Sequence, residues 1–265
     1  MGQALTVRNS GDEARAELAE LIDLQMSPLG LAAIDALAPA RGQVVLDVGC
    51  GAGETILQLA ERVGEVGRVV GVDVAPRVLD VARSRTAHLP QVTLLHEDAA
   101  DMALPDESFD GIYSRFGIMF FANPSKAFAN MRRMLKLQGK LGFVCWRSVD
   151  ENELDLFPVH AAGLSVEADT APFSFANADT IKDVLCSAGF DRIDIDAHDS
   201  SVSSGNADAM LKVVTRVGAL GMILRATPAL LPQIKPKVRA ALAAREVDGK
   251  VSLRTATWIV TATAV

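Results

Sequence analysis

Short apolar runs alternate with segments of helical periodicity through the middle of this 265-residue chain. Apolar runs predict buried strands at 44–48, 68–73, 92–95, 109–113 and 140–147. Between them, apolar residues recur every three or four positions, as they do along one face of a helix. Five strands that alternate with helices at short spacing indicate a parallel sheet and an α/β fold.

The pattern is less regular outside this central part. Near the amino terminus it predicts helices at 12–25 and 29–37. After the fifth strand comes an aperiodic segment, which contains acidic residues and then Ala and Pro. The remainder predicts a helix from 177, a strand at 190–197, helices at 207–224 and 228–245, and a closing strand at 251–263.

A glycine-rich turn follows the first strand. Asp47 is followed by Gly49, Gly51 and Gly53 at alternating positions, and a periodic helix begins at Glu54. Glycines let the backbone approach a ligand closely, and the new helix presents free N–H groups. The turn therefore predicts a nucleotide-like cofactor. A dinucleotide site would have glycine where Glu54 stands, and a carboxylate there would repel a pyrophosphate.

Two further acidic residues come at predicted strand ends. Asp73 ends the second strand, where a carboxylate can accept both hydroxyls of a ribose. Asp98 follows the third strand and could accept from the amine of an adenine. For Asp73 the alternative is a helix cap ahead of Pro76, and for Asp98 it is an ordinary turn residue. A ribose site alone does not separate NAD from other nucleosides.

Together these segments resemble the class I S-adenosylmethionine (SAM) methyltransferases, and within them the methyltransferase type 11 group with its ubiquinone and menaquinone biosynthesis C-methyltransferases. The similarity is strongest from Val44 to Trp146. It implies a Rossmann-like, doubly wound sheet of seven strands, mostly parallel with an antiparallel last strand, and helices on both faces. It also implies one domain over 1–265, with a helical lid at 1–41 and insertions at 148–176 and 207–246 that cap the acceptor.

The resemblance also implies roles for individual residues. Asp47 would hold the methionine end of SAM, Asp73 the ribose, and Asp98 the adenine. Related sequences carry tryptophans in the N-terminal helix, but here Arg8 and Arg15 are the nearest counterparts. The implied cofactor contacts are Asp47, Gly49, Gly51, Gly53, Asp73, Val74, Asp98, Ala99, Ser114 and Phe116.

The acceptor pocket is less well defined by the sequence. Arg115, Met119, Phe120 and Trp146 could line it, although core packing is an equal alternative for the apolar residues and an ion pair for Arg115. His160 is the candidate general base among the four histidines, because it follows the fifth strand. A base is needed only if the acceptor must lose a proton.

Composition narrows the class of partner. The net charge of −7 and the lack of a basic run argue against nucleic acid. Three isolated cysteines, the acidic amino terminus and the lack of a long apolar run favour a cytoplasmic protein without a membrane span. The sequence leaves the oligomeric state open between a monomer and a homodimer. Asp150, Glu151 and Glu153 lack the spacing of a metal site, so no metal is expected.

Two functions from different classes remain. In the first, the protein is a methyltransferase that uses SAM, releases S-adenosylhomocysteine and methylates a small, fairly apolar molecule by in-line displacement. In the second, it is a non-catalytic SAM-binding or regulatory protein on the same fold. An NAD-dependent oxidoreductase is a more distant alternative, which Glu54 disfavours.

Overall fold

The computed structural model of the protein describes residues 11–165 and 171–265. Its strands are β1 Val44–Val48, β2 Arg68–Asp73, β3 Val92–His96, β4 Phe109–Arg115, β5 Leu135–Trp146, β6 Phe190–Val202 and β7 Leu253–Ala264. They form one sheet in the order β3-β2-β1-β4-β5-β7-β6. Strands β1 to β5 pair in parallel, and β7 is antiparallel to β5. The predicted Rossmann-like, mostly parallel sheet with an antiparallel last strand is confirmed.

A helix follows each of β1, β2 and β4 along the chain, whereas no helix separates β3 from β4 in the part of the chain that the structure describes. The helices are α1 Ala19–Leu37, α2 Glu54–Val63, α3 Pro76–Thr86, α4 Pro124–Met134, α5 Glu153–Ala161, α6 Ala178–Ser187, α7 Ala207–Val214, α8 Gly218–Ala226 and α9 Leu231–Ala243. Helix α2 buries Ile56, Leu59, Ala60 and Val63, the face that its periodicity predicts. Asn123 caps α4, because its side chain accepts from the N–H of Lys126.

The chain divides into two compact units. The sheet unit consists of Leu29–Arg147, Ala171–His198 and Thr257–Val265. The helical unit consists of the described residues of Met1–Pro28, Ser148–Thr170 and Asp199–Ala256. Three stretches that are distant in sequence therefore gather in the helical unit, and they include most of the segments predicted as a lid. Part of that predicted lid, including Arg8, lies outside the described residues.

Some predicted boundaries were wrong. The break expected between 25 and 29 is absent, because α1 continues through Pro28. A proline inside a helix costs about 3 kcal/mol. Burial of a large aliphatic side chain contributes about 1.5–3 kcal/mol, and Leu29, Ile34 and Leu37 are almost fully buried after the proline. Tertiary packing of three such side chains outweighs the local cost.

Two further corrections concern helix ends. Helix α4 ends at Met134 and β5 begins at Leu135, although helical periodicity continues to Leu137. Leu135 is fully buried and pairs with Phe109 of β4. Its extended conformation in the sheet is therefore favoured over continuation of the helix. The helix predicted at 207–224 is two helices, because Gly218 has a φ of 74° that a continuous helix does not allow.

Candidate functional site

The three glycines of the turn after β1 all have left-handed backbone conformations, with φ of 75°, 53° and 86° at Gly49, Gly51 and Gly53. A Cβ on Gly49 would lie 2.9 Å from the Cα of Gly117, and one on Gly53 would lie 2.9 Å from the Cβ of Ala82. A Cβ on Gly51 would meet no described atom within 4 Å. Two glycines therefore permit close packing, whereas Gly51 borders open space that a ligand can enter.

Asp47 is fully buried at the carboxyl end of β1. Its Oδ2 accepts a hydrogen bond from the hydroxyl of Thr55 in α2, and its Oδ1 has no partner among the described residues. Burial raises the pKa of Asp47 from 3.8 to about 7, although the Thr55 hydrogen bond and the charge of Arg115 act in the opposite direction. An unpaired buried carboxylate oxygen is costly unless a cation or donor binds it.

Asp73 holds the glycine turn in place from the end of β2. One carboxylate oxygen accepts from the N–H of Gly51 and the other from the N–H of Ala75, each at 2.9 Å. Ala75 is the N-cap residue of α3, and the helix has no side-chain cap, so Asp73 does not cap it directly but binds the backbone just before it. Each oxygen retains a second lone pair, and ribose binding by Asp73 stays a prediction.

Val74, the next residue, is 63% exposed, unusually for a large apolar side chain beside buried strands. Its carbonyl oxygen lies 3.0 Å from Nε2 of His96, which ends the neighbouring strand β3. A side chain exposed in this way offers an apolar surface next to Asp73. Its role as a cofactor contact stays a prediction.

The turn after β3 carries the predicted adenine contacts. Oδ1 of Asp98 accepts from the N–H of Ala100 at 2.9 Å, as in an ordinary Asx turn. Ala99 is buried, and its carbonyl accepts from the side chain of Asn130 in α4. Asp98 therefore has the role of an ordinary turn residue that was its alternative, and its contact with adenine stays a prediction.

Ser114 connects the ends of β1 and β4. Its hydroxyl donates to the carbonyl of Val48 at 2.7 Å and accepts from the N–H of Gly117 at 3.2 Å. The residue is fully buried. Gly117 must be small here, because a Cβ would lie 2.6 Å from the Val48 carbonyl oxygen. The hydroxyl of Ser114 therefore clamps two strand ends, and any contact with a cofactor stays a prediction.

Arg115 and Glu54 form an ion pair in which the side chains are only 13% and 18% exposed. Arg115 thus takes the ion-pair alternative that the sequence left open for it. Its side chain lies against Gly30, where a Cβ would be 2.8 Å from Cδ of Arg115. Tyr113, two residues earlier on the same face of β4, donates its hydroxyl to the Gly30 carbonyl at 2.9 Å.

An aromatic pair follows β4. Phe116 stacks on Trp146 at the end of β5, with ring centroids 4.1 Å apart and planes 16° apart. The φ of Phe116 is 56°, which is rare for an aromatic residue and marks a constrained position. Met119 is buried in the core, as its packing alternative anticipated, whereas Phe120 is 54% exposed. The roles of Met119, Phe120 and Trp146 in acceptor binding, and of Phe116 beside the cofactor, stay predictions.

The candidate base, His160, lies in the last turn of α5 in the helical unit, where it is exposed. No group of three or more metal-ligating side chains occurs within 11–165 and 171–265. None of the helices in that part of the chain combines the length and the apolar character needed to cross a membrane. The catalytic role of His160 stays a prediction.

Sequence comparison matches this arrangement to known proteins. A family described as "Methyltransferase domain" matches residues 46–143, which span the glycine turn to β5. The 2-phytyl-1,4-naphtoquinone methyltransferase of Thermosynechococcus vestitus is 30% identical over 175 residues, which cover 61% of this chain and 78% of that protein. The chain belongs to the SAM-dependent methyltransferase family.

Other relatives are similar to this chain over shorter stretches. Aklanonic acid methyltransferase DauC of Streptomyces is 32% identical over 119 residues, or 44% of this chain. The chain spans about half the length of that relative, 54%. Demethylmenaquinone methyltransferase of Staphylococcus aureus is 35% identical over 99 residues, 37% of this chain and 41% of that protein.

Solved structures agree on the methyltransferase fold. The YcgJ protein of Bacillus subtilis has a TM-score of 0.60 at 18% identity, covering 89% of this chain and 97% of that one. A SAM-dependent methyltransferase of Aquifex aeolicus has a TM-score of 0.54 at 18% identity, covering 98% of this chain and 97% of that one. At these identities the similarity concerns the fold alone.

Several residues of this methyltransferase site were not predicted. No role was predicted for Thr55 and Gly117, and Glu54 was considered only as a carboxylate that would repel a pyrophosphate. A signal was present in the sequence, because residues 113 and 115 share a face of β4, and Glu54 and Thr55 are the first two residues of the helix directly after the turn. Their partners are distant in sequence, so only the fold shows what they contact.

Proposed function

We propose that this protein transfers the methyl group of SAM to a small, fairly apolar acceptor. The observation that carries the proposal is the buried, unpaired Oδ1 of Asp47, two residues before a turn with open space at Gly51. A ligand with an ammonium group and no phosphate fits these residues. A pyrophosphate fits poorly, because Glu54 places a carboxylate at the start of α2.

Different residues of the site would bind different parts of SAM. Asp47 would accept from the ammonium group, and the open space at Gly51 would admit the ligand beside the backbone. Asp73 already orients Gly51 and has lone pairs left for hydroxyls. Asp98 and the N–H of Ala99 would receive the adenine. When bound, SAM supplies a methyl group that its sulfonium has already activated for in-line displacement.

The protein's own contribution would then be alignment of the acceptor. Correct positioning of two reactants can contribute about 7–11 kcal/mol to lowering a barrier. Phe120 offers an exposed aromatic surface, and Phe116 is stacked on the buried Trp146, which suits an apolar acceptor. The names of the relatives, among them a naphthoquinone methyltransferase and a demethylmenaquinone methyltransferase, support an acceptor of this kind.

A base for the acceptor is less well supported in the sheet unit. The hydroxyl of Ser114 is hydrogen-bonded on both sides. Burial raises the pKa of Tyr113, whose hydroxyl donates to Gly30 and therefore stays protonated. His160, which is exposed, stays our proposed base, and we propose a single methyltransferase domain with a lid formed by 1–41, 148–176 and 207–246. Cytoplasmic localisation and a monomer or homodimer complete the proposal.

Calorimetry with SAM, S-adenosylhomocysteine and NAD tests the cofactor. We expect binding of the first two and none of NAD, and the reverse would refute the proposal. Incubation with methyl-labelled SAM and a panel of reduced quinones, phenols and crude metabolite extract tests the reaction. A protein that binds SAM but labels no product across the panel would be the non-catalytic SAM-binding protein of the alternative hypothesis.

A further inference from the structure

Three charged groups lie together where β1, β4 and α2 meet. Asp47 and Tyr113 are paired neighbours in the sheet register, so their side chains share a face. Arg115, two residues beyond Tyr113, lies on that face too. Glu54 opens α2 and binds the guanidinium of Arg115. One cation is thus shared between a carboxylate that it contacts, Glu54, and one that it influences from a distance, Asp47.

The hydrogen bonds show which of the two carboxylates Arg115 contacts. Glu54 accepts directly from Nη1 of Arg115, whereas Oδ1 of Asp47 has no hydrogen-bond partner among the described residues. Asp47 is therefore neither neutralised by direct contact nor remote from positive charge. In that state its free oxygen can accept from an incoming ammonium.

We propose that Arg115 and Glu54 are positioning residues for the ammonium of SAM: Arg115 keeps the Asp47 carboxylate charged, and Glu54 keeps the Arg115 guanidinium from occupying Oδ1 of Asp47. The inference rests on the proposed function. It assigns Arg115 to the amino-acid end of the cofactor, in place of the acceptor pocket.

Other groups near Asp47 act on the same charge. From α2, Thr55 donates to Oδ2; from β2, the negative charge of Asp73 raises the pKa of Asp47. Burial keeps the Cys50 thiol in the turn protonated by raising its pKa, and the same holds for Tyr113. Within 11–165 and 171–265, Arg115 is the cation whose charge lowers the pKa of Asp47. Without Arg115, burial and the charge of Asp73 still raise the pKa of Asp47, and the hydrogen bond from Thr55 is the remaining contribution that lowers it.

The test is the affinity for SAM measured by calorimetry from about pH 5.5 to 8.5, with all variants compared at each pH, so that loss of the α-amino proton of SAM near pH 7.7–8.0 affects every variant alike. For the wild type we expect affinity to fall about tenfold per pH unit below a midpoint near the pKa of Asp47. For Arg115→Gln the midpoint rises, because Asp47 loses the opposing cation. For Glu54→Gln the midpoint falls and the affinity at the upper plateau drops about tenfold, because the guanidinium competes for Oδ1.

Matched controls separate this role from a merely structural one. Arg115→Lys should return the midpoint toward the wild-type value, and Arg62→Gln, which removes an exposed arginine of α2 paired with Asp35, should not move it. 5′-Methylthioadenosine lacks the ammonium, so its affinity should show no such step in any variant. Thermal melting of each variant confirms that it is folded.

The outcomes distinguish this inference from the proposed function. Opposite movements of the two midpoints support it. Binding of SAM with midpoints that coincide in wild type, Arg115→Gln and Glu54→Gln overturns the inference and leaves the proposed function standing. A step of equal size with 5′-methylthioadenosine also overturns it. Failure of the wild type to bind SAM overturns both.

Discussion

The carboxylate of Asp73 accepts a hydrogen bond from the backbone N–H of Gly51 at 2.9 Å. The end of β2 thereby fixes the conformation of the turn after β1, across 22 residues of sequence. Gly51 is also the glycine of this turn that borders open space. Asp73 therefore shapes the cofactor turn in addition to any direct contact with the ribose.

Substitution of Asp73 should separate these two contributions. Asp73→Ala removes both backbone partners, and we expect the affinity for SAM to fall at least about tenfold. Asp73→Asn keeps one acceptor oxygen and should lose less. Asp80→Ala, which removes an exposed carboxylate of α3, is the control in calorimetry. Unchanged affinity in Asp73→Ala would exclude Asp73 from the site.

The pKa of Asp47 predicts a specific dependence of stability on pH. Because burial raises the folded-state pKa from 3.8 to about 7, this residue favours the folded state most below pH 3.8, and its contribution is lost as pH rises through about 7. The loss is about 4 kcal/mol for a shift of about three units. Asp47→Asn avoids it, although the two N–H donors of the new amide must then be satisfied.

Urea unfolding at pH 4 and pH 8 measures this effect. We expect Asp47→Asn to gain about 4 kcal/mol relative to wild type between the two pH values. Asp98→Asn, which removes an exposed carboxylate, controls for the change in net charge. A stability difference between Asp47→Asn and wild type that is the same at both pH values would contradict the prediction.

The two glycines Gly51 and Gly53 should respond differently to alanine. Both have positive φ, which costs a non-glycine residue about 1–2 kcal/mol. At Gly53 the added Cβ also meets Ala82 of α3 at 2.9 Å, so Gly53→Ala should destabilise the fold by a further 1–3 kcal/mol or so. At Gly51 the methyl enters open space, and the affinity for SAM should fall instead. Thermal melting of both variants measures the loss of stability, and calorimetry measures the affinity for SAM. Equal melting temperatures would refute the steric argument.

Phe116 combines a positive φ with stacking on Trp146. Phe116→Gly relieves a backbone cost of about 1–2 kcal/mol and loses an aromatic contact of about 0.5–1.5 kcal/mol together with buried area. Because burial of a Phe side chain contributes up to about 1.5–3 kcal/mol, stability should fall by about 1–2 kcal/mol, whereas methyl transfer should fall strongly. Phe121→Leu, which alters an aromatic pair with Phe128 away from Trp146, is a suitable control. Unimpaired transfer by Phe116→Gly would remove the pair from the acceptor surface.

Asn152 ties two segments of the helical unit together. Its fully buried side chain donates to the carbonyls of Ser148 and Ala256 and accepts from the N–H of Ala256. Asn152→Ala leaves these groups without partners, so we expect a loss of about 2–4 kcal/mol in the free energy of unfolding. Asn177→Ala, which removes the N-cap of α6, should cost about 1 kcal/mol. Equal losses in the two variants would contradict the prediction.

The sequence by itself determined the strands, the glycine turn and the kind of cofactor. Periodicity is a local property, so the run at 44–48 and the glycines after it could be interpreted without the rest of the chain. The same is true of Glu54, which disfavours a phosphate wherever the helix lies. Asp73 and Asp98 were placed at strand ends correctly, because parallel strands end at one edge of the sheet.

Only the tertiary structure decided how the charges of the site are paired. Thr55 with Asp47, and Glu54 with Arg115, join residues from different elements, and no local pattern encodes such partners. The continuation of α1 through Pro28 and the early end of α4 are of the same kind, since burial of Leu29, Ile34 and Leu135 overrides local propensity. Propensity acts within a turn of the chain, whereas burial and charge pairing depend on which distant segments the fold brings together.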